Sequence, residues 1–204
     1  VGGSAADACR GSSGGEDSAR TGEILFWGNI LPYMGVLEFV TSPAVRRAGL
    51  KVRIVGRCKD ASLAADIEKS IVSDDSAGFA GFGAEASTAH RSTFVFENRA
   101  ADFEELAGLI RSSRFVLFPY LPGSVSSSGV LMDTLTMGGS PVGPAIGAFA
   151  DLAREDVCFV YGSEAEMVEI LKSGRSINPE VLRDFIARNS WHSFARFFAD
   201  FFAS

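Results

Sequence analysis

Three segments of the sequence combine glycine with small polar residues, the residue types that bind anions through backbone N–H groups. They are residues 28–35 (GNILPYMG), 124–129 (SVSSSG) and 138–147 (GGSPVGPAIG). Glycine lets a backbone approach a ligand closely, and the free N–H groups at a helix start attract a phosphate. The same compositions are typical of a βα turn, a helix cap and a tight turn between packed elements, so both interpretations stay open.

Familiar catalytic motifs are absent from the sequence. It contains no GxSxG, HExxH or Walker motif, and no GxGxxG after the first predicted strand. His90 and His192 are isolated, so we expect structural or solvated histidines rather than catalytic ones. Asp102, Glu104 and Glu105 are typical of the first turn of a helix, where acidic residues match the helix dipole.

The elements that must position these segments follow from the hydrophobic pattern. Short apolar runs, most of them next to glycine, alternate with stretches whose apolar residues recur every three or four positions. The runs predict strands at residues 24–27, 52–55, 93–97, 115–118, 141–142 and 158–161. The periodic stretches predict helices at residues 36–48, 61–72, 103–111, 127–137, 164–171 and 179–202, with a polar loop at residues 73–91.

This alternation predicts an α/β fold, a doubly wound Rossmann-like parallel sheet with helices on both faces. Ligands of such sheets lie in the crevice at the carboxyl ends of the strands, where the three segments above would lie. Residues 1–22 contain almost no large apolar side chain, so we expect a flexible leader or linker there. A single domain would then occupy residues 23–204.

The composition narrows the classes of partner. The 204 residues are 47% hydrophobic and 22% charged, as in ordinary globular proteins, and the formal net charge is −6. Without a cluster of Lys and Arg, a nucleic-acid-binding surface is not expected. Cys9, Cys58 and Cys158 lie far apart, which predicts neither a disulfide framework nor a metal site and favours reduced thiols in the cytoplasm.

In order and spacing, these segments resemble the C-terminal, nucleotide-sugar-binding domain of GT-B retaining glycosyltransferases of family 4, or group 1. Residues 24–35 are similar to that family's strand and G-x-x-x-P-x-K-G loop, and residues 103–120 to its EEL and AD-V-x-x-x-P-S segments. Residues 126–142 are similar to its E-G-F-G-x-x-x-x-E-A-x-x-x-G-x-P-V segment. Trp191 matches a tryptophan common in the family's terminal helix, so the resemblance covers most of the chain.

The resemblance implies that the domain binds the diphosphate of a nucleotide-sugar donor, and it implies no metal or other cofactor. The residues placed near the phosphates are Gly28, Asn29, Gly35, Ser127, Ser128 and Gly129. The residues that would approach the base, chiefly through backbone groups, are Glu97, Asn98 and Arg99. The family's two glutamates fall on Ser126 and Thr134, and Asp133 is about 100° round the helix from Thr134. The catalytic residues stay unassigned.

The sequence departs from the family at two cations. Asn29 and Met34 stand where the family's first loop carries an Arg and a Lys, and Arg57 after the second strand is the nearest remaining cation. Two missing charges beside a diphosphate remove much of the expected electrostatic stabilisation. We therefore expect weak donor binding by this domain.

Three functions stay open from the sequence. The first is a glycosyltransferase domain for polysaccharide or glycoconjugate synthesis, which implies an N-terminal acceptor-binding domain in the full-length protein. Such an enzyme is expected in the cytoplasm, with any peripheral association at the inner face of the membrane made by that other domain. The second is a non-catalytic binding or regulatory module that has lost the basic pair. The third is a dinucleotide-binding domain, against which the missing GxGxxG counts.

Overall fold

The computed structural model describes residues 21–72, 91–121, 123 and 129–203. These residues form six strands: β1 Ile24–Trp27, β2 Lys51–Val55, β3 Thr93–Glu97, β4 Phe115–Leu117, β5 Pro141–Pro144 and β6 Phe159–Tyr161. All neighbouring strands pair in parallel, in the order β3-β2-β1-β4-β5-β6. The predicted doubly wound α/β fold is confirmed. The strand order runs one way from β1 to β3 and the other way from β4 to β6, so it reverses between β1 and β4.

The two middle strands, β1 and β4, are apolar along their whole length because both of their faces are covered. In β1, Ile24, Leu25 and Phe26 are almost completely buried, as is every residue of β4. The described part of the chain contains nine α-helices. They are α1 Val36–Thr41, α2 Pro43–Arg46, α3 Ala61–Val72, α4 Phe103–Ser112, α5 Gly129–Thr136, α6 Gly147–Arg154, α7 Glu164–Lys172, α8 Pro179–Arg188 and α9 Trp191–Ala203.

The helix predicted at residues 36–48 is in fact two helices, α1 and α2. Pro43 disfavours helical geometry in the residue before it, and Ser42 has extended backbone angles (φ −61°, ψ 125°). The Ser42 hydroxyl then accepts hydrogen bonds from the N–H groups of Ala44 and Val45, both at 3.2 Å. A proline and a capping serine therefore interrupt an otherwise continuous apolar periodicity.

The helix predicted at residues 179–202 is also wrong as a single element. It ends at Arg188 and begins again as α9 at Trp191. Ser190 caps the second helix, because its hydroxyl accepts the N–H of Ser193 at 3.2 Å.

Residues 138–147, left open between a turn and a ligand loop, contain β5 and the start of α6. Pro141 is the first residue of β5, where a strand tolerates the missing N–H. A side chain on Gly143 would overlap the ring of Phe149 in α6, at 2.3 Å from its nearest carbon. Helix α6 was not predicted, although Phe149 and Leu152 have helical spacing and are both buried.

Candidate functional site

The loops after β1, β2 and β3 are joined to one another at the carboxyl edge of the sheet. Ile30 donates its N–H to the carbonyl of Arg57 at 3.0 Å and forms a parallel β-bridge with Cys58. The Asn98 side chain continues the pairing, because Oδ1 accepts the Cys58 N–H at 2.9 Å and Nδ2 donates to the Cys58 carbonyl at 3.4 Å. We call Ile30, Cys58 and Asn98 the loop ladder. It joins the loop predicted for the phosphates to the loop predicted for the base.

Gly35 fixes the loop after β1 against the loop after β4. Its φ is +69°, and a Cβ there would lie 2.0 Å from the carbonyl oxygen of Pro119. The N–H of Leu121 also donates to the carbonyl of Tyr33 at 3.0 Å. Gly35 is therefore required by positive φ and close packing, and its contact with a donor stays a prediction.

The two positions of the missing basic pair differ in accessibility. Asn29 is exposed, so its side chain could meet a ligand. Met34, in a short 3-10 helix at Pro32–Met34, is only 6% exposed and belongs to the core. A lysine at position 34 would thus have to leave the core to bind a phosphate in this fold.

Gly28 brings the end of β1 to the start of α5. It has φ +118°, and a Cβ there would lie 3.5 Å from Cγ2 of Val130. Gly129, the first residue of α5, is exposed, and a Cβ on it would meet nothing within 4 Å. Of the segment predicted to hold phosphates, Gly129 is described, while Ser126, Ser127 and Ser128 lie outside the described residues.

Further along α5, the hydroxyl of Thr134 forms its hydrogen bonds inside the domain. It is fully buried, accepts the indole N–H of Trp27 at 3.0 Å and donates to the Val130 carbonyl at 2.7 Å. Asp133 is exposed on the same helix. Contacts of Thr134 and Asp133 with a donor stay predictions. The role of Trp27 was not foreseen, since no local pattern links residues 107 positions apart.

Glu97 and Arg99, predicted near the base, belong to a network of charged groups. Arg99 Nη2 is 2.7 Å from Glu97 and 2.5 Å from Glu105 of α4. Hydrogen bonds from Arg99 lower the pKa of Glu105, and those from Glu105 and Glu97 raise the pKa of Arg99. Arg53 joins Glu97 to Glu23, at 3.2 and 3.1 Å. The charge of Arg99 is thus balanced by carboxylates, and any approach of this loop to a base stays a prediction.

The remaining sequence predictions concern capping and isolated histidines. Asp102 caps α4, accepting the N–H of Glu105 at 2.8 Å, which confirms the predicted acidic helix start. His192 is exposed in α9, and His90 lies outside the described residues.

Among the residues described, no group of three or more His, Cys, Asp and Glu side chains could hold a metal ion. Within the same residues, no helix combines the length and apolarity needed to cross a membrane.

Comparison with known proteins relates the fold to glycosyltransferases. No protein-family model and no curated protein sequence matches the chain. Among solved structures, AviGT4, a glycosyltransferase involved in avilamycin A biosynthesis, is 17% identical with a TM-score of 0.60, over 89% of this chain and 50% of its own. The C-terminal domain of a glycosyl transferase group 1 family protein (LpcC) from Francisella tularensis is 12% identical with a TM-score of 0.56, over 82% and 85%.

A third similar structure is an α,α-trehalose-phosphate synthase (UDP-forming) from Burkholderia vietnamiensis. It is 13% identical with a TM-score of 0.57, over 93% of this chain and 46% of its own. The chain therefore spans about half the length of this synthase and of AviGT4, and most of an isolated C-terminal domain. At these identities the likeness concerns the fold, which is that of the C-terminal domain of GT-B glycosyltransferases.

Proposed function

We propose that this domain binds a nucleotide-diphosphate sugar as the donor half of a glycosyltransferase. The observation that carries the proposal is the meeting of Gly28 and the start of α5 at the carboxyl edge of the sheet. The strand order reverses beside them, between β1 and β4, where open α/β sheets bind ligands. The fold shared with glycosyltransferases supports the same site.

The chemistry proposed for the site is anion binding by backbone groups. The N-terminus of α5 offers free N–H groups and the positive end of a helix dipole to a diphosphate. Its first residue is a glycine without neighbouring atoms in the way, so a ligand can approach the backbone. We expect no metal requirement, and a dissociation constant of about 0.1–1 mM, or about 4–5.5 kcal/mol.

Sugar transfer requires more than this domain. The chain spans about half the length of AviGT4 and of the trehalose-phosphate synthase. We therefore propose that a second, N-terminal domain supplies the saccharide or lipid-linked acceptor, and that this domain alone transfers no sugar. A cytoplasmic location, at the inner membrane face for a lipid-linked acceptor, belongs to the same proposal.

The second candidate is a non-catalytic binding or regulatory module of the same fold. Two observations favour it: Met34 is buried, and Thr134, which aligns with one of the family's glutamates, is fully buried and hydrogen-bonded inside the domain. Such a module would bind the nucleotide sugar without transferring it. Assaying transfer in a chain that also contains the second domain separates the two functions.

The test of donor binding is the Gly129→Leu variant. A leucine at the first residue of α5 should block close approach of the phosphates, weakening UDP or GDP binding at least tenfold. The fold should be kept, because a Cβ at position 129 meets nothing within 4 Å. A thermal-shift screen of UDP, GDP, ADP and CMP sugars would identify the base, and calorimetry would give the affinities.

Gly108→Leu is the matched control. Gly108 is an exposed glycine of α4 whose added Cβ also meets nothing within 4 Å. The control should bind as the parent does. Equal binding by Gly129→Leu and the parent would rule out a phosphate site at the start of α5.

A further inference from the structure

Two cations on the loop after β2 stand beside the loop that lacks its basic pair. Ile30 and Cys58 face each other in a parallel bridge, so Asn29 lies beside Arg57 and Leu31 beside Lys59. Ile30 and Cys58 are 0% and 7% exposed, whereas all four of their neighbours are exposed. In extended backbone, residues that flank a buried one project to the opposite side. Arg57 and Lys59 therefore share a side with Asn29.

The charges of Arg57 and Lys59 are available to a ligand. Neither forms an ion pair with any residue in the described ranges, whereas Arg53 in the middle of β2 and Arg99 after β3 are paired with carboxylates. The next residue, Asp60, directs its Oδ1 at the start of α3, accepting the N–H groups of Ser62 and Leu63 at 2.9 and 3.2 Å. Its negative charge is thereby offset by the helix dipole.

The segment that carries these cations is held in place from both sides. On one side Ile30 pairs with it through the N–H bond to the Arg57 carbonyl at 3.0 Å. On the other side the Asn98 amide binds both backbone groups of Cys58. The backbone that carries Arg57 and Lys59 is thereby already ordered, so binding an anion has to order only their two side chains.

We propose that Arg57 and Lys59 together bind the diphosphate of the donor, in place of the basic pair missing at Asn29 and Met34. The inference rests on the proposed function for the identity of the ligand. The charge is supplied by the loop after β2 rather than the loop after β1, and the loop ladder positions it. Asn98 is a positioning residue in this arrangement, because its side-chain amide binds the backbone of Cys58.

The test compares Arg57→Ala, Lys59→Ala and the double variant with the parent. The ligands are UDP, GDP and inorganic pyrophosphate, measured by calorimetry at low ionic strength and at ~0.5 M salt. We expect each single variant to bind about 5-fold more weakly at low salt, and the double variant at least about 20-fold more weakly. In high salt the differences should shrink to about 2- to 3-fold, because exposed charges are screened.

The control is the Arg47→Ala/Lys51→Ala variant. It also removes one arginine and one lysine charge, but near the amino end of β2. Both residues are exposed, and neither has an ion pair among the residues described. If the Arg57/Lys59 double variant binds as tightly as this control, the inference is wrong while donor binding stands. If only pyrophosphate binds, and its binding depends on Arg57 and Lys59, the cation pair stands and the proposed function fails. If no probe binds the parent, both are overturned.

Discussion

Asn98 shows how a single side chain can organise the candidate site. Its amide binds the N–H and the carbonyl of Cys58, as a neighbouring strand would, although β3 ends one residue earlier. An amide supplies a donor and an acceptor in one group, so it can complete both bonds. The Asn98 side chain thus adds the third loop to the backbone bridge that Ile30 and Cys58 form between the first two.

Replacing Met34 by the lysine that the family carries at this position should destabilise the domain. The Met34 side chain is 6% exposed, so Met34→Lys places an ammonium group in the core and should lower the free energy of unfolding by about 2–4 kcal/mol. Met34→Leu conserves volume and should cost less than about 1.5 kcal/mol. Urea unfolding of the two variants measures the difference.

Asn29→Arg is the exposed counterpart and should change stability by less than about 0.5 kcal/mol. Equal stability of Met34→Lys and Met34→Leu would show that a side chain at position 34 can reach solvent. The missing lysine could then have acted from that position.

Two stretches with continuous apolar periodicity are each divided into two helices by a local capping signal. Ser42 and Pro43 separate α1 from α2, and Ser190 begins α9 two residues after α8 ends. In both places a serine hydroxyl accepts hydrogen bonds from the first turn of the following helix, whose N–H groups have no carbonyl partner within that helix. Short polar side chains therefore decide where one helix ends and the next begins.

Removing the cap at Ser42 tests this account. The Ser42 hydroxyl is buried and accepts two N–H groups of α2, so Ser42→Ala should lower the free energy of unfolding by about 1 kcal/mol. Thr41→Ala changes an exposed neighbouring hydroxyl and should cost less than about 0.5 kcal/mol. Chemical denaturation compares them, and equal losses would mean that the break depends on Pro43 alone.

For the whole molecule, the strand order decides which loops can share a ligand. Because β1 and β4 are neighbours, the loop from residue 28 to residue 35 packs on Pro119 and Leu121, and Gly28 meets the start of α5. Segments separated by about a hundred residues thereby reach one edge. The loops after β5 and β6 lie farther along the same edge, on the far side of β4.

The stability of the whole domain should fall in alkaline solution. Burial raises the pKa of Cys158 to about 12 from an ordinary value of 9.0, and it also raises the pKa of Tyr161, which donates its hydroxyl to the Phe118 carbonyl. Above pH 9 the unfolded thiol loses its proton while the folded one keeps it, so stability is lost as pH rises from about 9 to 12. Each group contributes up to about 1.4 kcal/mol per pH unit.

Urea unfolding of the parent and of Cys158→Ala across this pH range measures the effect. Because removing a buried side chain also changes stability at neutral pH, the slope of the free energy of unfolding against pH is the quantity compared. A shallower slope is expected for Cys158→Ala, and shallower still with Tyr161→Phe added. An unchanged slope in both would contradict burial as the cause.

Local signals in the sequence were enough to predict the fold class and the positions of the strands. Apolar runs and the glycines near them are local signals, and they predicted β1 and β3 with their observed bounds. The burial of β1 agrees with a strand covered on both faces, whereas β3 is an edge strand and its Val95 is 47% exposed. The glycines and small polar residues of segments 28–35 and 124–129 likewise predicted loops at the carboxyl edge of the sheet. Helix boundaries were less well determined where a cap or a proline competed with the periodicity, as at Ser42 and Ser190.

The contacts of the side chains at that edge, in contrast, depend on the folded arrangement of the chain. Trp27 and Thr134 are 107 positions apart, and Cys58 and Asn98 are 40 apart, so no local pattern encodes their hydrogen bonds. Arg99 has ion pairs and Arg57 has none within the described ranges, and this depends on which loops the strand order brings together. Burial of Met34 and exposure of Asn29 follow in the same way from packing, because accessibility belongs to the folded arrangement and not to the residue type.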